Sequence, residues 1–103
     1  MNKIEKYIRL TKKFNRLVKE NNDLVKAFQY SLQASRIAQS YSVEDLVSDF
    51  DSIGYKVDVD GVNKALLQAK ETYKENGMKF DSMAIGSLLL DKFADAYEQR
   101  RSK

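Results

Sequence analysis

From Ile4 to Leu32 the large apolar residues fall three and four apart. Ile4, Tyr7, Phe14, Val18, Val25, Phe28 and Leu32 keep the a/d register of a heptad; Thr11 and Asn21 occupy it without breaking phase, and Leu10, Leu17 and Leu24 widen the stripe on one side. No Gly or Pro interrupts the chain before Gly54, and Pro is absent from all 103 residues. The spacing is that of an amphipathic helix. A chain without Pro favours long, unbroken helices over a loop-rich or all-β fold.

The question is where this helical run turns. Glu20-Asn21-Asn22-Asp23 is the one polar interval, and Asn and Asp cap helix starts because their side-chain oxygens accept free backbone N–H groups. A single helix from residue 2 to 39 would be about 55–60 Å long, whereas a compact domain of this size has a radius of gyration of about 13 Å. The expectation is therefore a hairpin: one helix over roughly 2–20 and a second over roughly 23–39. The second is apolar on two sides, with Leu24, Val25, Phe28 and Leu32 on one and Ala27, Tyr30, Ala34, Ile37 and Ala38 on the other. A helix apolar nearly all round is expected to be buried.

Ser42-Val43-Glu44-Asp45 resembles a capping box that opens a third helix, with Val43, Leu46, Val47, Phe50 and Ile53 facing inward and Gly54 as a left-handed stop. Tyr55–Asp60 alternates apolar and charged residues and reads as an extended connection. A fourth helix is expected from about residue 60 or 61 to Asn76, stopped by Gly77, and a fifth from about residue 81 or 82 to Arg101. Leu88 and Leu89 lie in the most apolar stretch and are expected in the core, with Gly86 allowing close helix contact. The fold class is thus all-α: one domain over residues 1–103, a small bundle of four or five helices with a long amphipathic N-terminal helix or helical hairpin.

Composition closes several routes to chemistry. The chain has no Cys and no His. Disulfides, thiolate nucleophiles, zinc sites and Ser-His or Cys-His machinery are excluded, as is the usual general base at neutral pH. No Gly-rich phosphate loop is present, and no apolar run is long enough to span a bilayer. Met1-Asn2-Lys3-Ile4-Glu5 lacks the apolar segment of a secretory signal, so a cytoplasmic protein is expected. Asp49-Phe50-Asp51 and Asp58-Val59-Asp60-Gly61 invite a calcium reading. A loop begun at Asp49 would place Ile53 at the fifth position, where an oxygen ligand is needed, and Lys56 at the eighth. Paired carboxylates of glycosidase type need a cleft that short helices do not offer. The chain is read as no enzyme, with no metal, no cofactor and no small-molecule substrate.

Charge is unevenly laid out. The first 20 residues hold seven Lys/Arg against two Glu, whereas residues 42–60 hold six acids against Lys56 alone. Arg9, Lys12, Lys13, Arg16 and Lys19 would share one face of helix one. They are the candidate partner-binding residues, facing an acidic protein surface or phosphates, or else meeting the acidic 44–60 segment within the same chain. The apolar stripe of the first 40 residues is wider than a monomer of this size readily covers. Val18, Val25, Phe28 and Leu32 are therefore the candidate interface of a homodimer or an obligate complex.

Two family patterns come near. Tyr55–Glu98 resembles a ribbon-helix-helix DNA-binding domain, with an alternating strand, a helix ending at Gly77, and Ser82, Ile85, Leu89 and Phe93 along a second helix. Its outward strand positions would be Lys56, Asp58 and Asp60, and two acids there would repel DNA. Phe14–Val62 resembles a Nif11-type leader domain in Asn22-Asp23-Leu24, Ser42-Val43-Glu44-Asp45-Leu46 and Gly54-Tyr55, but aligning its halves requires an insertion. The chain is assigned to neither. The expected function is a non-enzymatic interaction protein, a regulator, inhibitor or accessory subunit docking onto a protein partner. The alternative is a nucleic-acid-binding protein using the basic N-terminal helix and the Arg100-Arg101-Ser102-Lys103 tail.

Overall fold

A computed structural model describes residues 2–21 and 23–102. Among them the chain forms five α-helices and no strand: α1 (Lys3–Lys19), α2 (Leu24–Ser40), α3 (Val43–Asp51), α4 (Val59–Glu75) and α5 (Ser82–Arg101). The long-helix alternative is resolved as a hairpin. Lys19 ends α1, Asn21 adopts a left-handed φ of 48°, and the Asp23 carboxylate accepts the Lys26 N–H to start α2. Asn tolerates that conformation better than most residues. Asn22, also placed in the turn by the sequence, lies outside the described residues. The two helices run antiparallel, because Lys3 reaches the Ser40 carbonyl and Lys13 lies over the Tyr30 ring, pairs that straddle the turn symmetrically.

The later helices start and stop for local reasons. Ser42 and Asp45 form the reciprocal capping box of α3. Asp58 and Asp81 cap α4 and α5 by accepting the N–H groups of Gly61 and Ala84. Gly54 and Gly77 take φ of +77° and +68°, a region only Gly enters freely. The Tyr55 N–H then folds back to the Phe50 carbonyl at 3.0 Å. Residues 55–58 connect α3 to α4 without regular secondary structure.

α5 lies across the hairpin. At the crossing, a Cβ built on Gly86 would stand 1.5 Å from the Ala38 carbonyl oxygen. The two backbones therefore touch with no side chain between them. Around this contact the core gathers Ile4, Leu46, Phe50, Leu89, Leu90 and Tyr97, all essentially sealed from water. Phe50 is its aromatic centre, meeting Tyr55, Phe93 and Tyr97 with centroids 5.2–6.1 Å apart. α4 packs on the outside through Val62 and Leu66. The described residues fill a flat body of 42 × 40 × 19 Å, and no helix among them is long and apolar enough to cross a membrane.

Two core assignments need correction. α2 is not buried on both sides: Ala27 and Ala38 are buried, but Leu24, Val25, Phe28 and Leu32 face solvent. Its apolar phase is complete, yet α5 reaches only the C-terminal half of the helix. The fully buried pair on α5 is Leu89 and Leu90, with Leu88 half-buried at the α4 side, since the close crossing at Gly86 fixes which residues turn inward.

The crossing yields two stability expectations. Gly86→Ala gains about 1 kcal/mol of helix propensity, but it must separate two backbones, and overpacking of this kind costs about 1–3 kcal/mol or more. A lowered urea midpoint should result; an unchanged one would show that α2 and α5 do not touch at Ala38. Leu89→Ala should lower stability by about 2–5 kcal/mol, and Leu88→Ala by clearly less, as read by the same unfolding curves.

Candidate functional site

Because α1 is regular through Lys19, the placement of its cations follows from helix geometry. At about 100° per residue, Arg9, Lys12, Lys13, Arg16 and Lys19 fall within an arc of about 120°. Arg9, Lys12, Arg16 and Lys19 are exposed. Lys13 is half-buried, its ammonium 5.4 Å from the Tyr30 ring centroid, within cation–π range. This face borders a hollow of about 720 Å³ between α1 and the C-terminal end of α5, lined by Glu5, Arg9, Lys12, Arg16, Glu98 and Arg101 among others.

The hollow is not purely basic. Lys12 pairs with Glu98 at 3.1 Å and Arg101 with Glu5 at 3.4 Å. Such surface pairs contribute little to stability, but they spend two of the cations that a phosphate would need. The acidic 44–60 segment does not take up this face. Its Asp45 pairs instead with Lys3, at 3.2 Å, beyond the N-terminal end of the cation row. The basic tail divides as well: Arg101 joins the hollow, Arg100 stacks 4.3 Å over Tyr55, and Lys103 lies outside the described residues.

The second surface is apolar. Val18 is 47% exposed, Leu24 58%, Val25 71%, Phe28 62% and Leu32 44%. The four on α2 lie within an arc of about 100°, turned away from the side that carries Ala27 and Ala38. Val18 stands on the same face of α1 as the half-buried Tyr7, Thr11 and Phe14, but is itself exposed. The stripe that forms core near Ile4 therefore continues in phase into solvent. Val18 on α1 and Val25, Phe28 and Leu32 on α2, the four residues expected at an interface, are each exposed, as is Leu24.

One polar knot holds the opposite end of the hairpin. Asp49 is buried, accepting the Ile4 N–H at 3.3 Å and the Tyr41 hydroxyl at 3.0 Å. Its carboxylate thus satisfies a free N–H at the positive end of α1. Burial pushes its pKa up, the bonds from Tyr41 and Ile4 oppose that shift, Asp45 adds to it and Lys3 again opposes it. Tyr41 is also pushed up, by burial first and then by Asp49. Alongside, the Tyr97 hydroxyl donates to Glu5 at 2.7 Å and accepts from Asn2 at 2.8 Å, and the Tyr7 hydroxyl donates to Asp91. Burial, followed by that carboxylate, lifts Tyr7 to about 12. The Tyr41 and Tyr97 hydroxyls are engaged at the N-terminal end of α1, and the Tyr7 hydroxyl links the body of α1 to that of α5. Among the described residues no group of three or more acids converges where it could hold a metal ion.

Comparison with protein-family models, with curated proteins and with solved structures returns no match to this chain. Function is therefore argued from these two surfaces.

A raised Asp49 pKa has a definite sign. The folded state holds this proton to higher pH than the unfolded chain does. The resulting stabilisation is complete below the ordinary aspartate range and is lost as pH rises through the raised value. Relative to Asp49→Asn, the native protein should thus be favoured most at acid pH and progressively less towards neutrality, as read by urea midpoints across that range. A difference independent of pH would show that Asp49 titrates as an ordinary surface carboxylate.

Proposed function

We propose that this chain is a non-enzymatic interaction protein of the cytoplasm, a small regulator, inhibitor or accessory subunit that docks onto a protein partner through the outer half of the α1–α2 hairpin. The supporting observation is the clustered exposure of Leu24, Val25, Phe28 and Leu32 on one face of α2, with Val18 exposed near the end of α1. Clustered apolar exposure of this kind marks interaction surfaces, whereas single exposed apolar residues do not. The adjoining cations of α1 add long-range attraction for an acidic partner, which speeds encounter more than it tightens the complex.

A nucleic-acid reading has its own support in the hollow beside α1, where Arg9, Lys12, Lys13, Arg16 and Arg101 outnumber Glu5 and Glu98. The two readings respond differently to salt and to mutation. For protein docking, capture of a partner from the host lysate should survive at about 1 M salt, where charges are screened beyond about 3 Å. Phe28→Lys should abolish it without changing the melting temperature. For nucleic acid, a single-stranded oligonucleotide should bind with an affinity falling on a log–log line with salt. Lys13→Glu with Arg16→Glu should flatten that slope by roughly 0.7 per lost phosphate contact. Oligonucleotide binding that ignores Phe28→Lys, with no salt-resistant protein capture, would replace the docking reading.

A further inference from the structure

The exposed face of α2 has an order along its length as well as a composition. Leu24, Phe28, Leu32 and Arg36 stand four residues apart, a row that forms a surface ridge on a helix. Asp23 caps α2 just before this row, Glu20 ends α1 across the turn, and Arg36 lies at the C-terminal end of the row. The row thus runs from an acidic turn through Leu, Phe and Leu to a cation, so its two ends carry opposite charge.

Resting on the reading of the hairpin as a docking surface, we infer that its occupant is a second copy of this chain, packed antiparallel about a two-fold axis at Phe28. Phe28 then meets Phe28 of the second copy, and Leu24 meets Leu32 of the second copy. The turn carboxylates approach Arg36 of the second copy. A two-fold interface uses one patch twice, so the patch must complement itself, and a row with opposite charges at its two ends does so only when antiparallel. Parallel pairing would set Arg36 on Arg36 and acid on acid. The positions flanking the row, Gln29, Ser31, Gln33 and Ser35, carry no charge to oppose approach. The cations of the basic face belong to α1 and not to this row. Ridges of this class on both helices pack at about −50°, the commonest crossing in globular proteins.

The absence of Cys makes the register directly testable. Light scattering at micromolar concentration should give twice the chain mass, and Phe28→Lys should halve it while the chain keeps its helical circular-dichroism spectrum, with a melting temperature lowered only by the lost association. On mild oxidation, a mixture of Leu24→Cys and Leu32→Cys proteins should form the mixed disulfide several-fold in excess over either homodimer, and Phe28→Cys should link to itself. Arg36→Glu should weaken association several-fold, and Glu20→Arg in the same chain should restore it. A chain mass that stays monomeric into the hundreds of micromolar would overturn the pairing, as would preferential 24–24 and 32–32 links. If the chain is monomeric while Phe28→Lys still loses a salt-resistant partner, docking stands and self-pairing falls. A dimer indifferent to Phe28→Lys removes both from this face.

Discussion

The backbone contact between Ala38 and Gly86 sets the rest of the architecture. It fixes how deeply α5 sits on the hairpin and, with it, how far along the hairpin α5 can reach. Towards the turn at Asn21, Leu17 and Ala27 are still buried, but Val18, Leu24, Val25, Phe28 and Leu32 are exposed. The exposed apolar face is a consequence of where one glycine allows two helices to touch, since the apolar phase of α1 and α2 is uniform along both.

Much of this was legible locally. The break after Lys19, the Ser42–Asp45 box, the stops at Gly54 and Gly77 and the close approach at Gly86 each follow from one or two residues whose conformational preferences are strong. Periodicity correctly placed the five cations on one face of α1, because a regular helix converts spacing into direction. It could not say that Lys12 would find Glu98, a residue on another helix far along the chain. It also could not say which apolar face would be covered. Leu32 and Ala38 belong to the same helix and carry the same apolar signal; only the position of α5 separates them.

Asp49 illustrates the other limit. It shares the inward phase of Leu46 and Phe50 on α3, which is why the helix buries it. Its meaning lay in Ile4 and Tyr41, which the sequence separates from it and the fold brings to it. A free N–H at the start of α1 and a hydroxyl at the end of α2 converge on one carboxylate. The knot therefore ties together the ends of three helices at the closed end of the molecule.

The chain order gives the Ala38–Gly86 contact a temporal meaning. The hairpin is a local structure, able to form as soon as residue 40 has left the ribosome, while its cover lies nearly half the chain away. Synthesis at about 5–20 residues per second leaves a gap of seconds between the two. Throughout that gap both faces of α2 are bare, the one α5 will cover and the one it never reaches. Nascent hairpins thus carry more bare apolar surface than the finished protein, and the arrival of α5 marks the point at which stickiness becomes confined to a single face.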